Sequence, residues 1–368
     1  EQVLTGYPRG LLSQFPCMRM EAASNRDELI LRYADSVDGI IYHTVQFCDN
    51  YAYEYAWLKG ILKKPMLLLE TDYTKQSRGQ VLTRIEAFLE SLGKARGGPR
   101  DIGGDGMKYV LGVDSGSTST NAVIMDSDRH LLASSVVRTG AKAGESADRI
   151  LTEVLEKAGL RREQLSWIVS TGYGRVSIPY ADENVTEISC HGRGAHYFNP
   201  DIRTILDIGG QDSKVILLDP SGGQVKDFLM NDKCAAGTGR FLEMTMSRVG
   251  SDITSIDTFV EGAEPVTINS MCAVFAESEI IGLLAQETPA GSIALGCIYS
   301  ICRRTAIFAQ KLAPENPKVF FSGGLAQSQV VREVLARYLG VESVTAHPLC
   351  QYNGAIGAAV LGWKRVNR

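Results

Sequence analysis

The chain has 368 residues, of which 44% are hydrophobic, so it can bury large cores and is expected to form two to four domains. Its formal net charge of -4, with Lys and Arg spread along the chain, offers no basic patch for nucleic acid. No apolar run approaches the roughly 20 residues that span a membrane. The eight cysteines are too dispersed for a secreted disulfide framework, and we expect reduced thiols or metal ligands in the cytoplasm.

Helical and strand patterns alternate over residues 29–92, which predicts a small parallel α/β fragment of flavodoxin-like type within a domain of residues 1–92. Residues 93–108 are rich in Gly and charge and lack apolar periodicity, so we predict a linker there. The first residues, EQVLTGYPRG, contain neither an initiating Met nor the features of a signal peptide. This predicts that residue 1 lies inside a longer natural polypeptide.

Three strand patterns precede a helix from Tyr109 onward, namely YVLGVDSG, NAVIMDSD and HLLASSVVR, an order typical of an RNase H-like lobe. The pattern of strand, glycine turn and strand returns at TILDIGGQDSKVILLD, which indicates a diverged internal duplication. Two similar lobes imply a cleft between them. We predict lobe I over residues 109–203 and lobe II over residues 204–368, with a return of the C-terminal helix to lobe I left open.

Three turns at strand ends combine glycine with groups suited to phosphate and magnesium. The first follows Asp114, the second runs from Asp207 to Asp212, and the third is FSGG at 321–324. We predict that Asp114, Asp207 and Gln211 are catalytic. The predicted nucleotide-binding residues are Ser115, Gly116, Ser117, Thr118, Gly209, Gly210, Gly237, Gly239, Gly323 and Gly324. Each turn alone also fits a purely structural role, but their order and duplication favour a nucleotide site, and the sequence contains no P-loop.

Two cysteines precede helical patterns, Cys234 before FLEMTMSRV and Cys272 before AVFAESEIIGLLA. The positive end of a helix stabilises thiolates and an anionic cluster, so both are candidate metal ligands. A cubane cluster takes four thiolates, and two per chain predict that a second copy supplies the other pair across a two-fold axis. From spacing alone, two buried structural cysteines are the simpler interpretation.

Several segments match one known family together, namely GVDSGSTST, STGYGR, EISCHGRGA, LDIGGQDSKV, NDKCAAGTGRFLE, MCAVFAESE, FSGGLAQ and HPLCQYNGAIGAA. Through them residues 109–362 resemble the activator ATPases of 2-hydroxyacyl-CoA dehydratases and the related benzoyl-CoA reductase ATPase subunits. The resemblance implies an α/β protein with two RNase H-like lobes of the acetate and sugar kinase/Hsc70/actin type, which bind ATP or ADP and Mg²⁺. In that family the cysteines matching Cys234 and Cys272 hold one 4Fe-4S cluster between two subunits, and nucleotide binding changes the angle between the flanking helices.

Residues 5–92 are similar, through IIYHTVQFCDNY and PMLLLETDYTKQSRGQVLTRIEAFLE, to the C-terminal portion of dehydratase subunits and of double-cubane cluster proteins. In those proteins the cysteine matching Cys48 ligates an iron-sulfur cluster, and Cys17 is a further candidate here. Within the ATPase part, the family often has Lys where this chain has Asn121, so a phosphate contact there is in question. The pair Cys190-His191 lacks a neighbouring metal motif, and we interpret it as structural.

The resemblance implies an ATP-hydrolysing reductase that drives one-electron transfer from a 4Fe-4S cluster to a 2-hydroxyacyl-CoA dehydratase-like or double-cubane cluster protein. It further implies a homodimer joined through the cluster, with ferredoxin or flavodoxin as electron donor. A small-molecule kinase of the same fold is the leading alternative, and it would have no use for Cys234 or Cys272. A nucleotide-sensing scaffold that passes no electrons is the third hypothesis.

Overall fold

The structure, a computed structural model, describes residues 24–46, 48–72, 78–93, 108–140, 142–220, 223–231, 238–269, 273–312 and 318–367. The chain divides into two compact units, Glu1–Ala95 and Arg96–Arg368. The division falls inside residues 93–108, the segment for which the sequence predicts a linker.

The first unit is a small α/β fragment whose elements follow the predicted order. They are α1 (Ser24–Ala34), β1 (Ile40–Val45), α2 (Asp49–Ile61), β2 (Met66–Thr71) and α3 (Arg78–Ser91). The two strands pair in parallel, and α2 makes the crossover that a parallel pair requires. Tyr42, Leu58 and Met66 form a buried core between the strands and α2.

The second unit contains two sheets. The elements of the first half are β3 (Tyr109–Ser115), β4 (Ser119–Met125), β5 (Leu131–Arg138), α4 (Ala143–Ala158), β6 (Leu165–Thr171), β7 (Glu183–Asn184) and α5 (Glu187–Phe198). Those of the second half are β8 (Thr204–Ile208), β9 (Ser213–Leu218), β10 (Val225–Asn231), α6 (Gly239–Arg248), α7 (Ile256–Phe259), α8 (Ala273–Ala285), α9 (Ala290–Leu312), β11 (Val319–Ser322), α10 (Gln329–Leu339) and α11 (Asn353–Val366).

Both sheets have the same strand topology. The first has the order β5-β4-β3-β6-β7 and the second the order β10-β9-β8-β11. In each sheet the first strand in sequence pairs antiparallel with its hairpin partner and parallel with a later strand that follows intervening helices. This shared order confirms the internal duplication and the two RNase H-like lobes predicted from the sequence.

The C-terminal helix α11 lies on the first sheet. A Cβ added at Gly112 on β3 would lie 2.0 Å from the carbonyl oxygen of Ala355, so glycine is needed for this close approach. Trp363 is buried in the same core, where an apolar side chain contributes about 2 kcal/mol. Arg365 donates hydrogen bonds of 2.7 and 3.0 Å to Glu183 on β7. The last helix of the chain therefore returns to the first lobe.

One helix of the described residues, α9, is long and apolar enough to cross a membrane, although 67% of its most apolar window is buried in the fold. Core helices have the same composition, so this is weak evidence for a membrane span. Cys297 and Cys302 lie on α9 and are fully buried. Burial raises the pKa of the Cys297 thiol to about 11, so this thiol is protonated at neutral pH.

Candidate functional site

The turn between β3 and β4 carries the first predicted catalytic carboxylate. Asp114 is buried near the end of β3 and faces Asn121 across the antiparallel pair. The backbone N–H of Gly116 donates to the carbonyl oxygen of Ser119 at 3.0 Å and closes the turn. Ser115 is fully buried, and its Oγ has no hydrogen-bond partner among the described residues. A buried hydroxyl without a partner is rare, and it indicates a place that a ligand or water completes.

The turn between β8 and β9 repeats this backbone geometry with different side chains. Asp207 is buried near the end of β8 and faces Lys214 across the pair. The N–H of Gly209 donates to the carbonyl oxygen of Asp212 at 2.9 Å, which matches the closure of the first turn. Gln211, the third predicted catalytic residue, is exposed in this turn. The duplication therefore extends to the register and hydrogen bonding of both hairpins.

A hydroxyl followed by a glycine ends the strand beside each hairpin. Thr171 on β6 and Ser322 on β11 pair in register with the two hairpin carboxylates. Both hydroxyl oxygens are buried and have no hydrogen-bond partner within the described part of the chain. Gly172 and Gly323 follow with φ of 84° and 93°, a backbone region that favours glycine. The second of these glycine turns is predicted from the sequence, whereas its counterpart on β6 is not.

The two hairpin turns approach each other directly. A Cβ added at Gly210 would lie 2.0 Å from Oγ1 of Thr118, so the backbone of the second turn meets a side chain of the first. The second turn also accepts two hydrogen bonds from the start of α6. The N–H of Gly239 donates to the carbonyl oxygen of Gly209 at 2.8 Å, and the N–H of Arg240 donates to that of Gly210 at 3.0 Å. Both turns and α6 thus meet at one place.

Lys214 is the centre of a buried charge cluster beside the second turn. Its Nζ lies 3.2 Å from Oδ2 of Asp207, 3.0 Å from Oδ2 of Asp212 and 3.7 Å from Oε2 of Glu187. Burial disfavours the ammonium charge, but these carboxylates outweigh that effect and raise the pKa of Lys214 well above its ordinary value. The cluster depends on this cation, because Lys214 is the ion-pair partner that all three carboxylates share.

His191 on α5 contacts the other oxygen of Asp207. Its Nε2 lies 3.3 Å from Oδ1 of Asp207, and its Nδ1 lies 2.8 Å from the carbonyl oxygen of Glu187. Burial opposes a charge on the ring, but the Asp207 carboxylate outweighs it and raises the pKa of His191 to about 9. Asp207 therefore has a protein cation at each of its two carboxylate oxygens.

The two hairpin carboxylates consequently differ in ionisation. Burial raises the pKa of Asp114, and the more distant charges of His191 and Lys214 offset this only in part. Burial acts in the same direction on Asp207, yet the same two cations, now in contact, hold its pKa well below its usual range. Burial also raises the pKa of Glu187 to about 7 despite the nearby Lys214.

Most predicted site residues of the second unit are brought together. Those at the meeting turns are Asp114, Ser115, Gly116, Thr118, Asp207, Gly209, Gly210 and Gly239. Gly323 is also close, since a Cβ added there would lie 3.2 Å from Oδ1 of Asp207. Exposed residues at the turn tips are Ser117, Gln211 and Gly324.

Of the three predicted cluster ligands, only Cys48 lies within the described residues. Cys234, Cys272 and Gly237 lie outside those residues, so their roles stay predictions. Cys48 belongs to the first unit, where it is half-buried between the end of β1 and the start of α2. Cys17 also lies outside the described residues.

The charge cluster itself was missed by the sequence analysis. Cys190 is buried in the core, as its structural interpretation predicts, whereas His191 contacts a predicted catalytic carboxylate. Glu187 and His191 lie one helical turn apart in EISCHGRGA, and Lys214 holds the duplicated position of Asn121. That spacing and that duplication are the signals from which the cluster could have been found.

Comparison with known proteins gives matches to both units. The model of the BadF/BadG/BcrA/BcrD ATPase family matches residues 111–362, and that of the 2-hydroxyglutaryl-CoA dehydratase D-component matches residues 1–92. Uncharacterized protein YjiL of Escherichia coli is 43% identical over 256 residues, which are 70% of this chain and 97% of that protein. The (R)-2-hydroxyglutaryl-CoA dehydratase activating ATPase of Acidaminococcus fermentans is 39% identical over 259 residues, 70% of this chain and 98% of that protein.

A solved structure gives the same result for the fold. The activator of the 2-hydroxyisocaproyl-CoA dehydratase from Clostridium difficile, determined with bound ADPNP, has a TM-score of 0.66 at 35% identity. The match covers 70% of this chain and 96% of that one. These similarities confirm the resemblance drawn from the sequence segments.

Proposed function

Because the chain belongs to the BadF/BadG/BcrA/BcrD ATPase family, we propose that its second unit hydrolyses Mg-ATP and couples hydrolysis to low-potential electron transfer. The acceptor in this proposal is a 2-hydroxyacyl-CoA dehydratase-like or double-cubane cluster protein, and activation of dehydratases is what the names of two relatives report. The observation that carries the proposal is the contact between two duplicated hairpin turns, each with a strand-end carboxylate. Residues 109–203 and 204–368 are the two proposed lobes around the nucleotide.

The side chains at the meeting turns fit a magnesium nucleotide. The first hairpin offers three oxygen-bearing side chains: the carboxylate of Asp114, the hydroxyl of Thr118 where the turns meet, and the buried hydroxyl of Ser115, which has no partner among the described residues. Carboxylate and hydroxyl oxygens suit Mg²⁺, either directly or through water. Gly209 and Gly210 let phosphate oxygens approach the backbone, because no side chain intervenes. When bound, magnesium neutralises charge on the phosphates.

The second turn and the third glycine turn complete the proposed site. Asp207 accepts a hydrogen bond from the attacking water and thereby orients it, with Gln211 as a second polar contact. Gly323 and Gly324 form the third glycine turn of the proposed nucleotide site, and a Cβ added at Gly324 would meet no described atom within 4 Å, so this side of the turn is open to adenosine. The reaction is hydrolysis, and no second substrate needs to be bound.

Helix α6 offers a route from the nucleotide to the predicted cluster ligands. It starts at Gly239 with amides bonded to the second turn, and Cys234 precedes it in the chain. Arg248 at the end of α6 forms an ion pair with Glu277 on α8, the helix that follows Cys272. A shift of the turn would therefore reach both helices. We propose that Cys234 and Cys272 from two subunits hold one 4Fe-4S cluster, which when bound supplies a one-electron carrier.

The first unit supports a dehydratase-type acceptor. Residues 1–92 match the dehydratase D-component, and joining two modules in one chain makes their encounter intramolecular. Ferredoxin or flavodoxin is the proposed donor. Cys48 remains a candidate ligand for a cluster in this unit.

The proposal is tested by anaerobic purification of the full chain, followed by iron analysis and an assay for ATP-dependent reduction of an acceptor. We expect about four iron atoms per dimer, their loss in Cys234→Ala and Cys272→Ala, and reduction only with ATP. Asp114→Asn should keep the iron and lose ATP hydrolysis. An iron-free protein that phosphorylates a small molecule would support the kinase instead. Reduction of the acceptor without ATP, by protein that contains iron, would refute the coupling.

A further inference from the structure

The structure assigns a role to His191 beyond the nucleotide turns: we propose that it is a positioning residue for ATP hydrolysis, which fixes the Asp207 carboxylate and links it to the first hairpin. This inference rests on the proposed ATPase function. The His191 side chain lies on α5 and contacts the carboxylate of Asp207, where β8 ends and the second turn begins.

Both ring nitrogens of His191 face oxygens that accept hydrogen bonds. Nδ1 lies 2.8 Å from the carbonyl oxygen of Glu187, which can only accept. Nε2 lies 3.3 Å from Oδ1 of Asp207, whose other oxygen is paired with Lys214 at 3.2 Å and is therefore ionised. A ring that donates at both nitrogens is an imidazolium. Donors at both oxygens prevent the Asp207 carboxylate from rotating.

The same residue reaches the first hairpin through α11. The backbone carbonyl of His191 accepts a hydrogen bond of 3.2 Å from Nδ2 of Asn353, the first residue of α11. A Cβ added at the next residue, Gly354, would lie 2.1 Å from Oδ2 of Asp114 and 3.0 Å from Cε1 of His191. The imidazole edge and the Asp114 carboxylate thus pack against the same glycine, and His191 lies between the two hairpin carboxylates.

Loss of this contact should act on the reaction more than on nucleotide binding. The two turns approach each other at Thr118 and Gly210, whereas the imidazole ring contacts Glu187 and Asp207. Without His191, one oxygen of Asp207 loses its donor and the carboxylate gains freedom to rotate. A carboxylate that orients water contributes only when its geometry is held, so kcat should fall while KM for ATP changes little.

The test compares His191→Phe, His191→Gln and the control His196→Gln in the full chain, prepared anaerobically. His196 lies on the same helix and packs against Gly223, away from the charge cluster. We expect kcat for ATP hydrolysis to fall about 100-fold in His191→Phe with KM within about 3-fold, because positioned acid-base groups contribute at least that much. His191→Gln, whose amide can still donate to Asp207, should recover about 10-fold of the loss, and His196→Gln should stay within about 2-fold of wild type.

Three results would overturn the inference. The first is kcat within about 3-fold of wild type in both His191 variants, measured on folded protein. The second is a loss of kcat that is equal in His191→Gln and His191→Phe and is accompanied by a raised KM for ATP. This is the pattern of a purely structural residue. Should His191→Phe not fold, the kcat and KM of His191→Gln decide between these outcomes. The third is a wild-type chain that does not hydrolyse ATP, which would refute the proposed function and the inference together.

Discussion

The two hairpins of the second unit share a backbone but not an electrostatic environment. Asp114 and Asp207 occupy the same register position, and both turns close with the same glycine hydrogen bond. Opposite Asp114 stands the neutral Asn121, whereas opposite Asp207 stands Lys214. Duplication therefore preserved the shape of the loops while one cross-strand position changed the charge of the site.

This difference sets the ionisation of the two carboxylates. Asp207 has cations in contact with both of its oxygens, and its pKa falls although it is buried. Among the described residues no cation lies within ion-pair distance of Asp114, and burial raises its pKa. In a duplicated fold, the backbone thus predicts where a carboxylate lies, and the cations in contact with it, here His191 and Lys214, decide its charge.

The largest expected effect is the loss of Lys214. Lys214→Met leaves the buried carboxylates of the cluster without their common cation, so the free energy of unfolding should fall by about 4 kcal/mol. Urea titration followed by tryptophan fluorescence measures this, because Trp167 and Trp363 are buried in the second unit. Lys226→Met, at an exposed position on β10, is the matched control and should change stability by less than about 0.5 kcal/mol. Equal effects of the two substitutions would contradict the cluster.

The two aspartates themselves should respond unequally to the same change. Asp207→Asn removes the carboxylate that pairs with His191 and one of the three around Lys214, and it should cost about 3 kcal/mol. Asp114→Asn removes a charge that burial disfavours and should cost less than about 1 kcal/mol. The same titration compares them, and each variant is the control for the other. A larger loss for Asp114→Asn would reverse the assignment of the two electrostatic environments.

The contribution of Glu187 to the free energy of unfolding should depend on pH. Burial raises its pKa from 4.5 to about 7, so its contribution to stability is complete below about pH 4.5 and is lost as pH rises through about 7. Glu187→Gln cannot ionise, and relative to wild type its free energy of unfolding should increase from about pH 5 to about pH 8, by at most about 3 kcal/mol. The exposed Glu163→Gln should follow the wild-type curve. A parallel pH dependence for Glu187→Gln and wild type would disprove the raised pKa.

The smallest effect should come from making the first hairpin resemble the second. Asn121→Lys places an ammonium group opposite Asp114, which supplies its counter-charge, so the net change in stability should stay within about 1 kcal/mol. Because the added cation lies beside the proposed phosphate site, KM for ATP should fall by about 3-fold. Steady-state kinetics and urea titration measure the two quantities. Destabilisation of more than about 3 kcal/mol would mean that the site cannot accept a second cation.

The sequence predicts where the two hairpin carboxylates lie because their signal is local. Strand, glycine and turn stand next to each other around Asp114 and Asp207, and the two lobes follow from that repeated pattern. His191, Glu187 and Lys214 were missed because their importance arises only when α5 packs against the second sheet. Thr171 was missed for a related reason, since its role depends on the pairing of β6 with β3.

In the proposed function both hairpins act on one magnesium nucleotide. Calorimetric binding of ADPNP to the full chain, with and without Mg²⁺, tests this directly. Wild-type protein should bind a single nucleotide per chain, and Mg²⁺ should strengthen binding at least about 10-fold. Asp114→Asn, which is expected to stay folded, should lose that strengthening while still binding the nucleotide weakly through the glycine turns. Mg²⁺-dependent binding that is unchanged in Asp114→Asn would contradict the account.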